Sequence, residues 1–137
     1  MGNEISISKI GYEDVQYAIK NNYIIINSLP SNKQKCLIEN TIDYNEEETI
    51  INSLISELNC NTRIIIYGEN SSDNLPYEKY RKLIQFGFND IHIYSGGLFE
   101  WMLLQDIYGA ENFPTTIKEL DLLKFRTNTL FNKKFLT

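Results

Sequence analysis

Three short apolar runs constrain this chain more than any other feature: "YIIIN" at Tyr23–Asn27, "RIIIYG" at Arg63–Gly68 and "DIHIYSGG" at Asp90–Gly97. Each is too short for a buried helix and rich in β-branched residues, so each reads as a strand. The first two lack polar alternation, as expected of strands covered on both faces. Around and between them lie segments with helical spacing. "GYEDVQYAIKNN" places Tyr12, Val15, Ala18 and Ile19 on one face, and "NEEETIINSLISEL" does the same with Ile50, Ile51, Leu54, Ile55 and Leu58. Asn45 is the expected cap of the second helix, and Glu46, Glu47 and Glu48 suit its positive end. "PYEKYRKLIQFGF" reads as a helix with Pro76 in its first turn and Gly87 at its C-cap, and "LFEWMLLQDIYG" as one ending at Gly109. "ISKI" at Ile7–Ile10 and "CLIENTI" at Cys36–Ile42 complete a set of five predicted strands. Strands that alternate with helices require crossover connections, hence an α/β fold with a parallel sheet.

At 137 residues, with 42% hydrophobic and 12% aromatic content, the chain suits one domain with one core. Its 13 basic against 18 acidic residues, a formal charge of -5, argue against nucleic acid as a partner, because phosphate neutralisation needs an excess of Lys and Arg. The apolar runs fall far below the ~20 residues that cross a bilayer, and no secretory signal is legible. Cys36 and Cys60 form neither a disulfide framework nor a metal-binding spacing. An intracellular, cytoplasmic protein with no cofactor and no metal is the expectation.

The order of these elements resembles the rhodanese-like family. The residues that carry the resemblance are "ISKIGYEDVQYAI", "YIIINSLP", "CLIENTI", "IIIYG" and, most specifically, "GFNDIHIYSGGLFEW" from Gly87 to Trp101. The match runs over residues 5–110. It implies a three-layer α/β/α domain around a central, mostly parallel five-stranded sheet, here residues 1–116 including an N-terminal segment 1–6, followed by an extension at 117–137. The longer string "GGLFEWMLLQDIYGAENFPTT" is similar to a subgroup found in protists and large DNA viruses, which implies a viral protein or a virion component.

Active members of the family begin the loop after the "IIIYG"-like strand with a cysteine that carries sulfur as a persulfide, in a Cys-x-x-Gly-x-Arg-Ser pattern. That chemistry needs a thiolate over backbone N–H groups at a helix N-terminus. On this chain the pattern falls on Gly68 at the nucleophile, Ser71 at the glycine, Asp73 at the arginine and Asn74 at the serine. The degenerate loop Gly68, Glu69, Asn70, Ser71, Ser72, Asp73 supplies no thiol, and it brings acid where an anion should sit. The family's Asp-x-Arg strand ending is replaced by Asn27-Ser28-Leu29. A phosphatase reading, which needs a Cys-x5-Arg loop, fails for the same reason. The resemblance therefore implies a catalytically inactive domain that acts as a protein-interaction or scaffold module. Two rivals stand beside it: a sulfurtransferase or sulfur carrier using Cys36, and an anion or small-ligand sensor that keeps the loop amides.

The remaining chemistry-bearing residues have bland readings. Cys36 is otherwise a small buried apolar residue, and Cys60 precedes a strand at the end of the sheet opposite the loop. His92 alone cannot make a metal site, and a general base needs a nucleophile to serve, so it reads as structural. In "LFEWMLLQDIYG", Leu98, Trp101, Leu104 and either Ile107 or Tyr108 share a core-facing stripe. The large apolar groups of that helix nominate Phe99, Trp101, Met102 and Leu103 as a contact surface for a protein partner or a homodimer, unless the extension covers them. "MGNEIS" fits the N-myristoylation pattern with Gly2 as acceptor, which implies peripheral membrane contact. One acyl chain binds a membrane only marginally, so stable attachment would need a membrane-bound partner.

Overall fold

The structure, a computed structural model, describes residues 6–128 and 131. In chain order the elements are β1 (Lys9–Ile10), α1 (Tyr12–Lys20), β2 (Ile24–Asn27), a single 3₁₀ turn (Ser31–Lys33), α2 (Tyr44–Ser56), β3 (Ile64–Tyr67), α3 (Leu75–Gln85), β4 (Ile91–Tyr94) and α4 (Gly97–Tyr108). The strands form one sheet in the order β1-β4-β3-β2, and every pairing is parallel.

Local chemistry explains most of the boundaries. Helix α2 begins one residue before Asn45, and its cap is Asp43, whose carboxylate accepts from the Asn45 amide at 2.9 Å. Pro76 sits in the first turn of α3. After that helix Gly87 takes φ +103, while its N–H reaches the Ile84 carbonyl and the Phe88 N–H reaches Leu83, closing the last turn.

The period-two alternation of the strands divides the core. Ile25, Ile65, Tyr67 and Tyr94 face α1 and α4, meeting Val15, Ala18, Leu98 and Trp101. Ile26, Ile64, Ile66, Ile91 and Ile93 face α2 and α3, meeting Ile51, Tyr80, Leu83 and Phe88. This is the expected three-layer sandwich.

Among the described residues the sheet has four strands and not the predicted five. Residues 36–42 make only isolated bridges, Ile25 with Thr41 in parallel and Ile38 with Thr115 in antiparallel. Asn40, at φ +70, breaks the extended path. The Ile38 amide is also diverted, donating to the Tyr67 hydroxyl at 3.1 Å instead of to a ladder partner.

The segment after α4 wraps back over the domain. Thr116 N donates to the Leu37 carbonyl, Glu39 N donates to Pro114, and the side chains of Phe113 and Phe125 enter the α1/α4 core. Trp101 is consequently fully buried, its indole N–H donating to the Pro114 carbonyl at 3.1 Å and its ring edge-on to Phe113 at 5.1 Å. Met102 is buried as well. The expectation of a contact surface at Trp101 and Met102 is thus corrected: intrachain packing covers both, while Phe99 and Leu103 are half-buried. At the C-terminal end of α4 the exposed apolar groups are instead Ile107 and Tyr108.

Candidate functional site

Strand β3 is buried along its whole length and delivers the chain to Gly68 at the carboxyl end of the parallel sheet, where open α/β folds bind their ligands. Two amides at the start of α4 grip the loop that follows. Leu98 N donates to the Gly68 carbonyl at 2.9 Å and Phe99 N to the Glu69 carbonyl at 2.8 Å. This approach needs Gly97, which has φ +70 and on which a Cβ would stand 2.8 Å from Asn70 N.

Inside the loop, the Asp73 carboxylate occupies the amide cradle. Its Oδ2 accepts from Glu69 N and its Oδ1 from Leu75 N, both at 3.0 Å. Asn70 Oδ1 accepts from Ser72 N at 2.9 Å, and Asn70 Nδ2 donates to the Phe125 carbonyl at 2.9 Å, tying the loop to the C-terminal segment. Glu69 is paired with Lys33 at 2.6 Å, and Lys33 also lies over the Phe125 ring. Gly68 is buried, and a Cβ there would collide with Asp73 Oδ2 and stand 2.7 Å from Pro76 Cγ. Ser71 and Ser72 are exposed. The loop therefore holds an anion, and that anion is its own side chain.

Nearby, the Asn27-Ser28-Leu29 ending is tightly organised. Asn27 is buried and exchanges amide hydrogen bonds with Gln34, while its backbone carbonyl accepts from Lys79 Nζ at 2.6 Å. Lys79 also pairs with Glu47 at 2.7 Å. Glu47 thus belongs to a side-chain network beyond the solvated helix start that the sequence suggested.

Cys36 is brought neither to the surface nor into the loop. It is 3% exposed in the α1/α4 core, and its Sγ–H points at the Ile117 carbonyl at 3.6 Å. Burial pushes its thiol pKa up, and the Glu119 charge adds to this against the opposing hydrogen bond from Thr115. Cys60 lies at the amino end of β3, remote from the loop as expected, with its sulfur toward the Phe86 carbonyl at 4.0 Å. Burial likewise raises the Tyr67 phenol, which stays protonated between Ile38 N and Thr41 Oγ1. Gly2 lies outside the described residues. Among those described, no group of three or more His, Cys, Asp and Glu is placed to hold a metal ion, and no helix is long and apolar enough to cross a membrane.

His92 has partners that its sequence position did not reveal. Ser8 Oγ lies 2.6 Å from its Nδ1, and Asp90 Oδ1 lies 2.5 Å from its Nε2. Asp90 was visible two residues upstream. Ser8 is 84 residues away and is brought in only by the pairing of β1 with β4.

The architecture is shared with solved structures. The BH2092 protein from Bacillus halodurans superposes with a TM-score of 0.59 at 21% identity, covering 95% of this chain and 90% of the other. Ygr203w, described as a yeast protein tyrosine phosphatase of the rhodanese family, gives 0.56 at 12% identity, covering 88% and 100%. The Alr3790 protein from Anabaena gives 0.55 at 17%, covering 77% and 89%. No curated protein sequence matches this chain. The family profile described as "Rhodanese-like domain" matches residues 12–104, most of the chain, and with the parallel sheet and the Gly68 loop at its carboxyl edge, this protein belongs to the rhodanese-like domain family.

Proposed function

We propose that this rhodanese-like domain is silent in sulfur transfer and works as a protein-interaction or scaffold module. The observation that carries the reading is the Asp73 carboxylate seated on the Glu69 and Leu75 amides beneath a residue with no side chain. Persulfide chemistry requires a thiolate at position 68 and vacant donors to stabilise it. Here a fixed negative charge already holds two amides of the loop. The same occupancy weighs against an anion sensor, since an incoming anion would have to displace a tethered carboxylate. The sulfur-carrier reading fares no better, because burial keeps Cys36 neutral and sheltered.

A groove of about 700 Å³ between the end of α4 and the wrapped C-terminal segment favours the interaction role. Ile117 and Leu120 line it, and Leu120 is 80% exposed. Exposed apolar groups beside a groove are the usual mark of a contact surface. Acylation of Gly2 would add a weak membrane tether to this module. The likeness of the Gly96–Thr116 string to domains of protists and large DNA viruses supports placing such a module in a viral setting.

The deciding experiment is a thiosulfate-to-cyanide sulfurtransfer assay on the full chain and on Cys36→Ser. No turnover above buffer is expected for either. Turnover in the wild type that disappears in Cys36→Ser would overturn the reading.

A further inference from the structure

A second cluster lies at the amino ends of the strands, opposite the Gly68 loop, and it does not depend on how that loop is read. The register that pairs Lys9 with Ile93 sets Ser8 beside His92 on the sheet face that carries Ile10 and Ile65. The Asp90 carboxylate can only accept, so the 2.5 Å contact assigns the ring proton to His92 Nε2. With the ring neutral, Nδ1 offers a lone pair to which the Ser8 hydroxyl, 2.6 Å away, can donate. Arg63 donates from Nε to the other oxygen of Asp90 at 3.0 Å and lies over the Tyr23 ring at 5.1 Å. Burial alone would raise the Asp90 pKa, but the hydrogen bonds from His92 and Arg63 outweigh it and keep the carboxylate ionised. A hydroxyl, an imidazole and an oriented carboxylate in series form the relay that turns serine into a nucleophile, here with the two ring nitrogens in exchanged roles.

A cavity of about 250 Å³ meets the relay at His92 and is otherwise lined by Ile10, Asp14, Tyr17, Tyr23, Arg63 and Ile65. Its size suits a short acyl group, and Arg63 supplies positive charge for an oxygen that becomes anionic.

We propose that Ser8, with His92 as base and Asp90 as its positioning carboxylate, is a reactive serine that takes an acyl group from small carboxylic esters. Ser8 Oγ bonds to the acyl carbon as its proton passes to His92 Nδ1. The ester C–O bond then breaks, and the leaving alkoxide takes that proton. Water attacks the acyl-serine, giving up a proton through Nδ1 to Ser8 Oγ, so one ester and one water yield one acid and one alcohol.

The test treats the full chain, Ser8→Ala and His92→Gln with a fluorophosphonate probe, which bonds to an activated serine and releases fluoride, and reads adducts by intact mass and peptide mapping. Circular dichroism checks that each variant folds. A single adduct on Ser8, absent in Ser8→Ala and formed at least about a hundredfold more slowly in His92→Gln, is expected. An unlabelled wild type, an adduct at another residue, or equal labelling rates in the wild type and His92→Gln would overturn the proposal.

Discussion

The Asp73 carboxylate fills the space into which a side chain at Gly68 would project, while bridging the amides of Glu69 and Leu75. The two positions are therefore coupled: the acid fits because residue 68 is glycine. Gly68→Ala is expected to destabilise the wild type by about 1–3 kcal/mol through overpacking. In an Asp73→Ala background the same change should cost less by about 1 kcal/mol or more, the Pro76 contact remaining. Urea denaturation of the four proteins measures this coupling, and additive effects would contradict it.

The same relationship predicts how a thiol could be installed. Gly68→Cys alone places the sulfur against Asp73 and should remain poorly reactive. Gly68→Cys with Asp73→Ala frees the Glu69 and Leu75 amides, and their helix-start position lowers the thiol pKa. Faster iodoacetamide modification at pH 7 is expected for residue 68 in the double variant than in the single one. Equal rates would show that Asp73 does not control the loop.

Phe125 fastens the C-terminal segment to the domain. It is 1% exposed in the core containing Trp101, and its carbonyl accepts from Asn70 of the loop. Phe125→Ala should cost about 3–5 kcal/mol, as for other buried aromatics. Phe131, 87% exposed, should tolerate alanine within about 0.5 kcal/mol. Chemical denaturation followed by Trp101 fluorescence separates the two cases.

The layers and the parallel sheet were legible in the sequence because "YIIIN", "RIIIYG" and "DIHIYSGG" carry a strong local signal and the helices have apolar stripes, although Leu58, expected on the stripe of α2, lies past its end at φ +59 and is 88% exposed. The fifth strand failed for reasons no window of sequence contains: the left-handed Asn40 and an Ile38 amide drawn to a hydroxyl on β3. The extension was illegible for a related reason. "LDLLKF" has no regular period, yet Phe125 is buried by long-range contact. Gly68 and Asp73 could be placed by alignment to a motif, but the bridge from Asp73 to two amides could not. Ser8 beside His92 needed the order of the strands.

The two cysteines should differ in reactivity. Cys36 is buried with its thiol pKa raised, whereas Cys60 is partly exposed. At pH 8, alkylation of the native protein followed by peptide mapping should find Cys60 modified well ahead of Cys36, with the difference erased in 6 M guanidinium, a typical denaturing condition (~6 M). Preferential modification of native Cys36 would place its sulfur at the surface and reopen the sulfur-carrier reading.

Asp90 gives stability a defined pH dependence. Burial raises its pKa, but the hydrogen bonds from His92 and Arg63 and the charge of Arg63 prevail, and the folded value lies below the ordinary one. The unfolded state therefore binds this proton more readily. The contribution is fully present above the unfolded carboxylate pKa, about 3.9, and is lost as pH falls through the lower folded value. Asp90→Asn removes that contribution. The variant should be less stable than the wild type at pH 6, and the gap should narrow as pH drops below about 4. Urea midpoints at a series of pH values test the sign, and a gap that widened toward low pH would mean that the folded carboxyl binds its proton more tightly than the unfolded one.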